Sequence, residues 1–483
     1  MSVARILTKI VATLGPASSD DVTIEKLVEA GVGVFRLNFS HGSLDDHAKR
    51  LAGVRRVSAK LGRVVGVLGD LQGPKIRVGR IDGGGASLAV GDEVHFVRGD
   101  LVAESAARPL RLASTYARLV DDVRPGERVL IDDGSVRLLA AAHDGETLRC
   151  LVTTGGTISS GKGINLPESQ VTATALSERD LVCVAWAVEH ELDYLALSFV
   201  RSAGEIIDLR LRIGTGVRLP IVAKIERPEA VEEIEPIVEA SDAIMVARGD
   251  LGVEMDFAKV PLVQIRLVEA AHAAGKPCIV ATQMLQSMID APMPTRAEAT
   301  DVANAILQGA DAVMLSGETA VGKWPVLTVE TMRRIAAEAE RFAAERSARG
   351  AGHHAAPAKL VATGYRTAAL AHGVWYMACD NRATCVVVWS QQGGGARYLS
   401  QNDFAIPIVA FSSDERAVRR MTLLRGVFPA RLDPPATVAA WRAAAAEHLR
   451  RGGFAKPGDR AVLVFGEPLG VAGVTDSVAL VEV

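Results

Sequence analysis

Residues 221–250, IVAKIERPEAVEEIEPIVEASDAIMVARGD, decide the fold. Two short apolar runs, Ile221–Glu226 and Ala243–Asp250, flank a segment long enough for a helix. That is the pattern of parallel strands joined by a crossover helix. The rhythm continues on both sides, with further strand candidates at Tyr194–Val200, Pro277–Met284 and Ala312–Thr319. Ser177 and Asp180 form a capping box ahead of LVCVAWAVEH; Thr295 and Glu298 form another ahead of ATDVANAILQ, a helix that Gly309 ends. Toward the N-terminus, Lys9–Gly15, Val34–His41 and Val64–Leu71 alternate with helical patterns, the first of which, Val22–Ala30, stops at Gly31. Eight strands separated by helices predict an α/β protein built on a (β/α)8 TIM barrel, with an open doubly wound sheet as the alternative.

Residues 73–165 break the rhythm. Short Val-, Leu- and Arg-rich runs are punctuated by Asp82-Gly83-Gly84-Gly85, Val90-Gly91-Asp92, Pro125-Gly126, Asp133-Gly134 and Asp144-Gly145. This reads as a small all-β lid domain inserted after the third barrel strand. The stretch 345–357, ERSARGAGHHAAP, reads as a linker or a fraying helix, and a separate α/β pattern follows with strands at Thr384–Trp389, Ile406–Phe411 and Arg460–Phe465. The predicted domains are therefore 1–72 with 166–346 as a discontinuous barrel, 73–165 as the lid and 347–483 as a C-terminal α/β domain. No repeat of fixed period suggests a solenoid.

Composition narrows the function classes. With 483 residues the chain can bury large cores, and 54 Lys+Arg against 57 Asp+Glu leaves no basic excess for nucleic acid. Aromatics at 4% are too few for base-stacking platforms. No apolar run approaches the roughly 18 residues of a membrane span, and Met1–Arg5 carries no signal-peptide core, so a soluble cytoplasmic protein without membrane or nucleic-acid partners is expected. Five scattered cysteines without a Cys-x-x-Cys pair argue against a metal cluster or a disulfide framework.

The polar residues with chemical potential fall at strand ends. Side chains two apart on a strand share a face, which groups Arg36, Asn38 and Ser40, and likewise Lys224 and Glu226. Asp70 ends its strand, Asp250 follows Arg248-Gly249, and Thr282 ends CIVAT. Each pattern alone has an ordinary structural explanation: a solvated face, a surface ion pair, a turn. Together they lie at the same end of successive parallel strands, where a barrel builds its active site. Glu226 and Asp250 could hold a Mg²⁺, with Lys224 and Arg36 beside it, a site for an anionic, phosphorylated substrate. Gly156–Gly163, GTISSGKG, approaches the P-loop pattern, but Gly163 stands where Ser or Thr must reach the metal.

The chain resembles the pyruvate kinase family through TKIVATLGPASSD, FRLNFSHG, GDLQGPKIR, GKGINLPE, AKIERPEA, VARGDLGVE, ATQMLQSM, PTRAEATDVANAILQGAD and VMLSGETA, in that order. The resemblance implies phosphoryl transfer from phosphoenolpyruvate to ADP, giving pyruvate and ATP. It implies catalytic roles for Lys224, Arg36, Thr282 and Arg77, and substrate contacts from Arg36, Lys224, Ser198, Gly249, Asp250 and Thr282. It further implies nucleotide contacts from Asn38, Ser40, His41, Arg77 and Lys162, Mg²⁺ or Mn²⁺ ligands in Glu226 and Asp250, a homotetramer and a regulatory C-terminal domain. Two departures stand out. Leu71, Gln72 and Lys75 resemble the K⁺-independent branch, in which the Lys75 ammonium would replace a bound K⁺ near Asn38, Ser40 and Asp70. The loop Ser390–Arg397 keeps Gly and Arg but has lost most hydroxyls of the family's effector loop, leaving an altered phosphorylated-effector site or a plain turn. The rivals are a Mg²⁺-dependent barrel lyase or aldolase acting on pyruvate enolate, and a silent effector-binding protein on the same scaffold.

Overall fold

The structure is a computed structural model that describes residues 5–172, 174–348, 357–362 and 364–483; most of the 345–357 stretch and Met1–Ala4 lie outside the described residues. Eight parallel strands form a closed barrel: Lys9–Thr13, Val32–Asn38, Gly66–Asp70, Tyr194–Leu197, Ile221–Ile225, Ala243–Ala247, Cys278–Ala281 and Ala312–Leu315. Pairing of Lys9–Ala12 with Ala312–Leu315 closes it, which excludes the open sheet. Both capping boxes form, Ser177 with Asp180 and Thr295 with Glu298. Gly31 and Gly309 follow their helices at φ 125° and 98°, a region L side chains avoid.

Four strands end earlier than the apolar runs suggest. Tyr194–Leu197 stops before Phe199, and Cys278–Ala281 before Thr282 and Gln283; all three residues have positive φ. Arg248–Glu254 and Gly317–Ala320 are helical turns rather than strand continuations. Hydrophobicity carries on past each strand because the chain is still buried, while the backbone has already turned across the barrel mouth. Ser40 likewise lies in the turn beyond Asn38, so strand alternation does not reach it.

Between the third and fourth barrel strands, residues 85–165 form a six-stranded sheet and a two-stranded ribbon around their own core, which includes Val94, Phe96, Leu138 and Ile158. No helix follows GTISSGKG; Gly156–Ser159 is itself a strand. The C-terminal sheet has five strands in the order Val427–Arg431, Ile408–Ser412, Cys385–Trp389, Arg460–Phe465 and Ser477–Glu482. The two edge strands have no counterpart in the sequence reading: Val427–Arg431 contains Pro429, tolerable only where no ladder bond is needed, and Ser477–Glu482 is half-exposed.

The barrel interior is filled by side chains, among them Val11, Leu68, Val222, Met245 and Ile279, and Leu423 of the C-terminal domain joins that cluster. The turn carrying it, Met421–Leu423, seats against the lower barrel. A Cβ on Gly66 would lie 2.6 Å from Thr422 Oγ1 and 3.1 Å from the Arg419 carbonyl. Buried Asp193 accepts from Arg419 at 2.7 Å, from Arg55 at 2.9 Å and from the Val67 amide at 2.8 Å. The Tyr194 hydroxyl donates to the Arg420 carbonyl. The C-terminal domain is thus a stopper in the end of the barrel remote from Lys224 and Glu226. Leu423→Ala should lower the unfolding free energy by roughly 2–5 kcal/mol through the cavity it leaves. Leu423→Met should cost less than about 1.5 kcal/mol, both read from urea unfolding.

Candidate active site

The strand ends place their polar side chains in one buried cluster. Arg36 leaves the second strand with its Nε 2.6 Å from Asp70 Oδ2 and its Nη1 donating to Thr13 Oγ1 at 3.1 Å. Lys224 Nζ lies 2.8 Å from Glu226 Oε1 and 3.3 Å from Asp70 Oδ1, and donates to Ser198 Oγ at 2.7 Å. The second Glu226 oxygen accepts from the Phe199 amide at 2.6 Å, a geometry that the positive φ of Phe199 makes available. Ile225 faces the other way into the core between barrel and helices, as the alternation requires.

The charges settle one another. Lys224 is 9% exposed and Glu226 and Asp70 1% each. Burial opposes the charge on Lys224, yet Asp70 and Glu226 outweigh it and hold the ammonium above its ordinary pKa. Burial also works against the Asp70 carboxylate, but Lys224 and Arg36 prevail and keep it below the usual range. Glu226 goes the other way: burial raises its carboxyl to about 7, aided by Asp250 and opposed by Lys224. Three carboxylates (Asp70, Glu226, Asp250) thus face two cations (Arg36, Lys224), and the surplus negative charge is carried by the two residues with metal-ligating chemistry. Among the described residues no group of three or more His, Cys, Asp or Glu could hold a metal. A pair of carboxylates completed by water and phosphate is the donor set that Mg²⁺ favours.

Asp250 stands in the first turn of the Arg248–Glu254 helix. The preceding Gly249 amide, expected to face a substrate carboxylate, here donates to Thr282 Oγ1 at 2.7 Å. Thr282 adopts φ 69°, a strained conformation for a β-branched residue. Arg248 holds it there, donating to the Thr282 carbonyl at 2.7 Å while anchored to Asp301 at 2.6 Å. Arg248 escapes sequence reading because its partners are far away along the chain.

The expected nucleotide residues form a looser rim. Asn38 Oδ1 accepts from the Ser40 amide at 3.1 Å, closing the turn into His41. Burial, and then the neighbouring cations Lys75, Arg36, Arg77 and Arg179, depress the His41 pKa. Arg77 donates to the Gly161 carbonyl at 2.8 Å and Lys162 pairs with Asp132 at 2.9 Å, so both are held within the lid. Lys75 is exposed, its stem against Gly163. The Asp70 carboxylate is engaged by Arg36 and Lys224, and the structure does not bring Lys75 into contact with it. A cavity of about 670 Å³ lies elsewhere, between the lower barrel and the C-terminal domain, and none of these residues line it; chemistry rather than volume locates the site.

Comparison with known proteins agrees with this geometry. Residues 6–329 match the family model described as pyruvate kinase, barrel domain, and residues 368–481 that described as pyruvate kinase, alpha/beta domain. The chain is 45% identical to the pyruvate kinase of Mycobacterium tuberculosis over 408 residues, 84% of this chain and 83% of that one. It is 41% identical to that of Mycobacterium intracellulare, over 97% of this chain and 96% of the relative. It is also 41% identical to that of Corynebacterium glutamicum, over 98% and 96%. Nothing in these matches supports a lyase or an aldolase. A barrel whose mouth joins Arg36, Lys224, Glu226 and Asp250, with matches along nearly its whole length, belongs to the pyruvate kinase family of phosphotransferases.

Proposed function

We propose that Lys224, Arg36 and the Glu226–Asp250 pair carry out the family's reaction, transfer of a phosphoryl group from phosphoenolpyruvate to ADP. An ADP oxygen bonds to phosphorus as the bond from phosphorus to the enol oxygen breaks, and the enolate left behind takes a proton at its methylene carbon. Such a reaction asks the protein for position and charge rather than covalent chemistry. The observation that carries the reading is the Lys224 ammonium, buried 2.8 Å from Glu226. In this reading it meets the phosphoryl group in flight and then the enolate oxygen, already oriented by Ser198 and Asp70. Arg36 binds the phosphate, Gly249 and Asp250 the substrate carboxylate, and Thr282 lies by the carbon to be protonated. Asn38, Ser40, His41, Arg77 and Lys162 take the nucleotide. Glu226 and Asp250 would hold a Mg²⁺ or Mn²⁺, which when bound supplies positive charge to the phosphate and enolate oxygens.

Two further features belong to this reading. The loop Ser390–Arg397 lines a cavity of about 260 Å³ together with Arg218 and Tyr398, a concave cationic surface suited to a phosphorylated effector. A cytoplasmic homotetramer follows the family pattern; among the described residues no helix is long and apolar enough to cross a membrane.

Three measurements test the proposal. Lys224→Met should lower kcat by on the order of 10²–10³ or more in a coupled assay with phosphoenolpyruvate, ADP and Mg²⁺; a loss of only a few fold would remove Lys224 from this role. Because only the ionised Glu226 binds metal and its carboxyl titrates at about 7, Mn²⁺ affinity measured directly should be flat above that pH. Below it, affinity should fall by up to about tenfold per unit as the proton competes. Activity should be unchanged when K⁺ is replaced by a large organic cation, and Lys75→Glu should create a K⁺ requirement; strong K⁺ activation of the unmodified protein would refute this.

A further inference from the structure

The lid is joined to the barrel by an outgoing segment, residues 71–78, and a returning one, residues 162–171, and the two are tied together. The Ile164 amide donates to the Ile76 carbonyl at 2.8 Å and the Val78 amide to the Lys162 carbonyl at 2.8 Å. On the outgoing side, Asp180 Oδ1 receives the Gln72 and Gly73 amides at 3.0 and 3.3 Å. On the returning side, among the described residues, three anchors are side chains that follow closely on a site residue in sequence. Arg201, two residues past Phe199, donates to the Val171 carbonyl. Arg227, next to Glu226, donates to the Leu166 carbonyl at 3.2 Å. Glu254, one helical turn past Asp250, accepts from Asn165 Nδ2 at 2.8 Å.

The last contact is the unusual one. Glu254 is 3% exposed, yet its second carboxylate oxygen has no hydrogen bond, with Arg227 Nη1 3.8 Å away. A buried, half-satisfied carboxylate is costly, and the Asp250 helix does not need it for its own backbone. Its one hydrogen bond goes to the lid, three residues from Lys162, beside a cavity of about 50 Å³ that Lys75, Arg227 and Asp250 also line.

We infer that Asn165 and Glu254 are positioning residues for nucleotide. Their hydrogen bond sets the attitude of the lid, with Arg77 and Lys162 on it, relative to the helix that carries Asp250. This rests on the functional reading above and adds residues that nothing in that reading uses. Neither residue has a part in the phosphoryl transfer of that reading, so loss of the bond should weaken ADP use and leave the chemistry alone.

The test uses the full-length protein and compares Asn165→Ala, Glu254→Ala, Glu254→Gln and the double alanine variant. Both alanine variants should raise the KM for ADP roughly ten- to a hundred-and-fiftyfold, the range for a lost hydrogen bond to a charged group. Their kcat and their KM for phosphoenolpyruvate should stay within about twofold, and the double variant should be no worse than the worse single one, as for one shared contact. Glu254→Gln keeps the acceptor and should stay within about threefold of the parent. Without ligands, amide exchange at Val78 and Ile164 should quicken in both alanine variants, and the melting temperature should hold in Asn165→Ala, which leaves Glu254 beside Arg227. Parental ADP kinetics and parental exchange in both alanine variants, strictly additive effects, or a fall in kcat with KM unchanged would each overturn the inference. Should the parent protein fail to make ATP from phosphoenolpyruvate, the functional reading falls instead, and the exchange experiment still decides the lid contact.

Discussion

The structure depends on keeping one ammonium charged inside a closed barrel. Lys224 sits where water is nearly excluded, and the carboxylates of Asp70 and Glu226, at 3.3 and 2.8 Å, with the Ser198 hydroxyl at 2.7 Å, make that burial tolerable. Removing either partner would leave an uncompensated charge, so the strand ends that carry them are mutually constrained. Arg36 completes the balance by taking the other oxygen of Asp70. The four come from three strand ends, Arg36 from the second strand, Asp70 from the third beside it, and Lys224 with Glu226 from the fifth, and the barrel brings these ends together.

The surplus carboxylate is what makes this cluster a site and not merely a buried ion network. Glu226 is pushed toward neutrality by burial and by Asp250, against the pull of Lys224, a carboxyl that any further positive charge beside it would ionise. Backbone strain gathers at the same place. Phe199, Thr282 and Gln283 all adopt positive φ within one or two residues of the strand ends. These bends turn the Phe199 amide onto Glu226 and the Thr282 hydroxyl onto the Gly249 amide. Such strain persists where surrounding contacts over-determine it, and Arg248, gripping both the Thr282 carbonyl and Asp301, is such a contact.

The two attached domains address opposite ends of the barrel by different physics. At the lower end the C-terminal domain inserts Leu423 into the barrel core and adds polar clamps, Arg419 on Asp193 and Gln401 on Asp311. At the mouth the lid is held by individual hydrogen bonds, donated by Arg201 and Arg227 and accepted by Asp180 and Glu254. Contacts made one hydrogen bond at a time can open singly, whereas a side chain seated in a packed core leaves it only at the cost of the cavity behind it.

Much of this was legible along the chain. Period and punctuation identify the barrel strands, the capping boxes at Ser177 and Thr295, and the β insertion, because hydrophobic spacing and helix caps are local properties. Alternation alone pairs Lys224 with Glu226. Edge strands escaped the pattern: Val427–Arg431 and Ser477–Glu482 are only partly buried and so carry weak periodicity. Strand ends were overrun where burial continues past the last ladder bond. The contacts that only the fold decides join residues distant in sequence: Arg36 with Asp70, Arg248 with Asp301, Asn165 with Glu254, and Leu423 with the barrel interior. The order of residues dictates which side chains lie on which face of each element, since that depends on the twist of a few bonds. Which faces then meet is settled by closing the barrel and burying its two ends, a property of the whole chain that no short window contains.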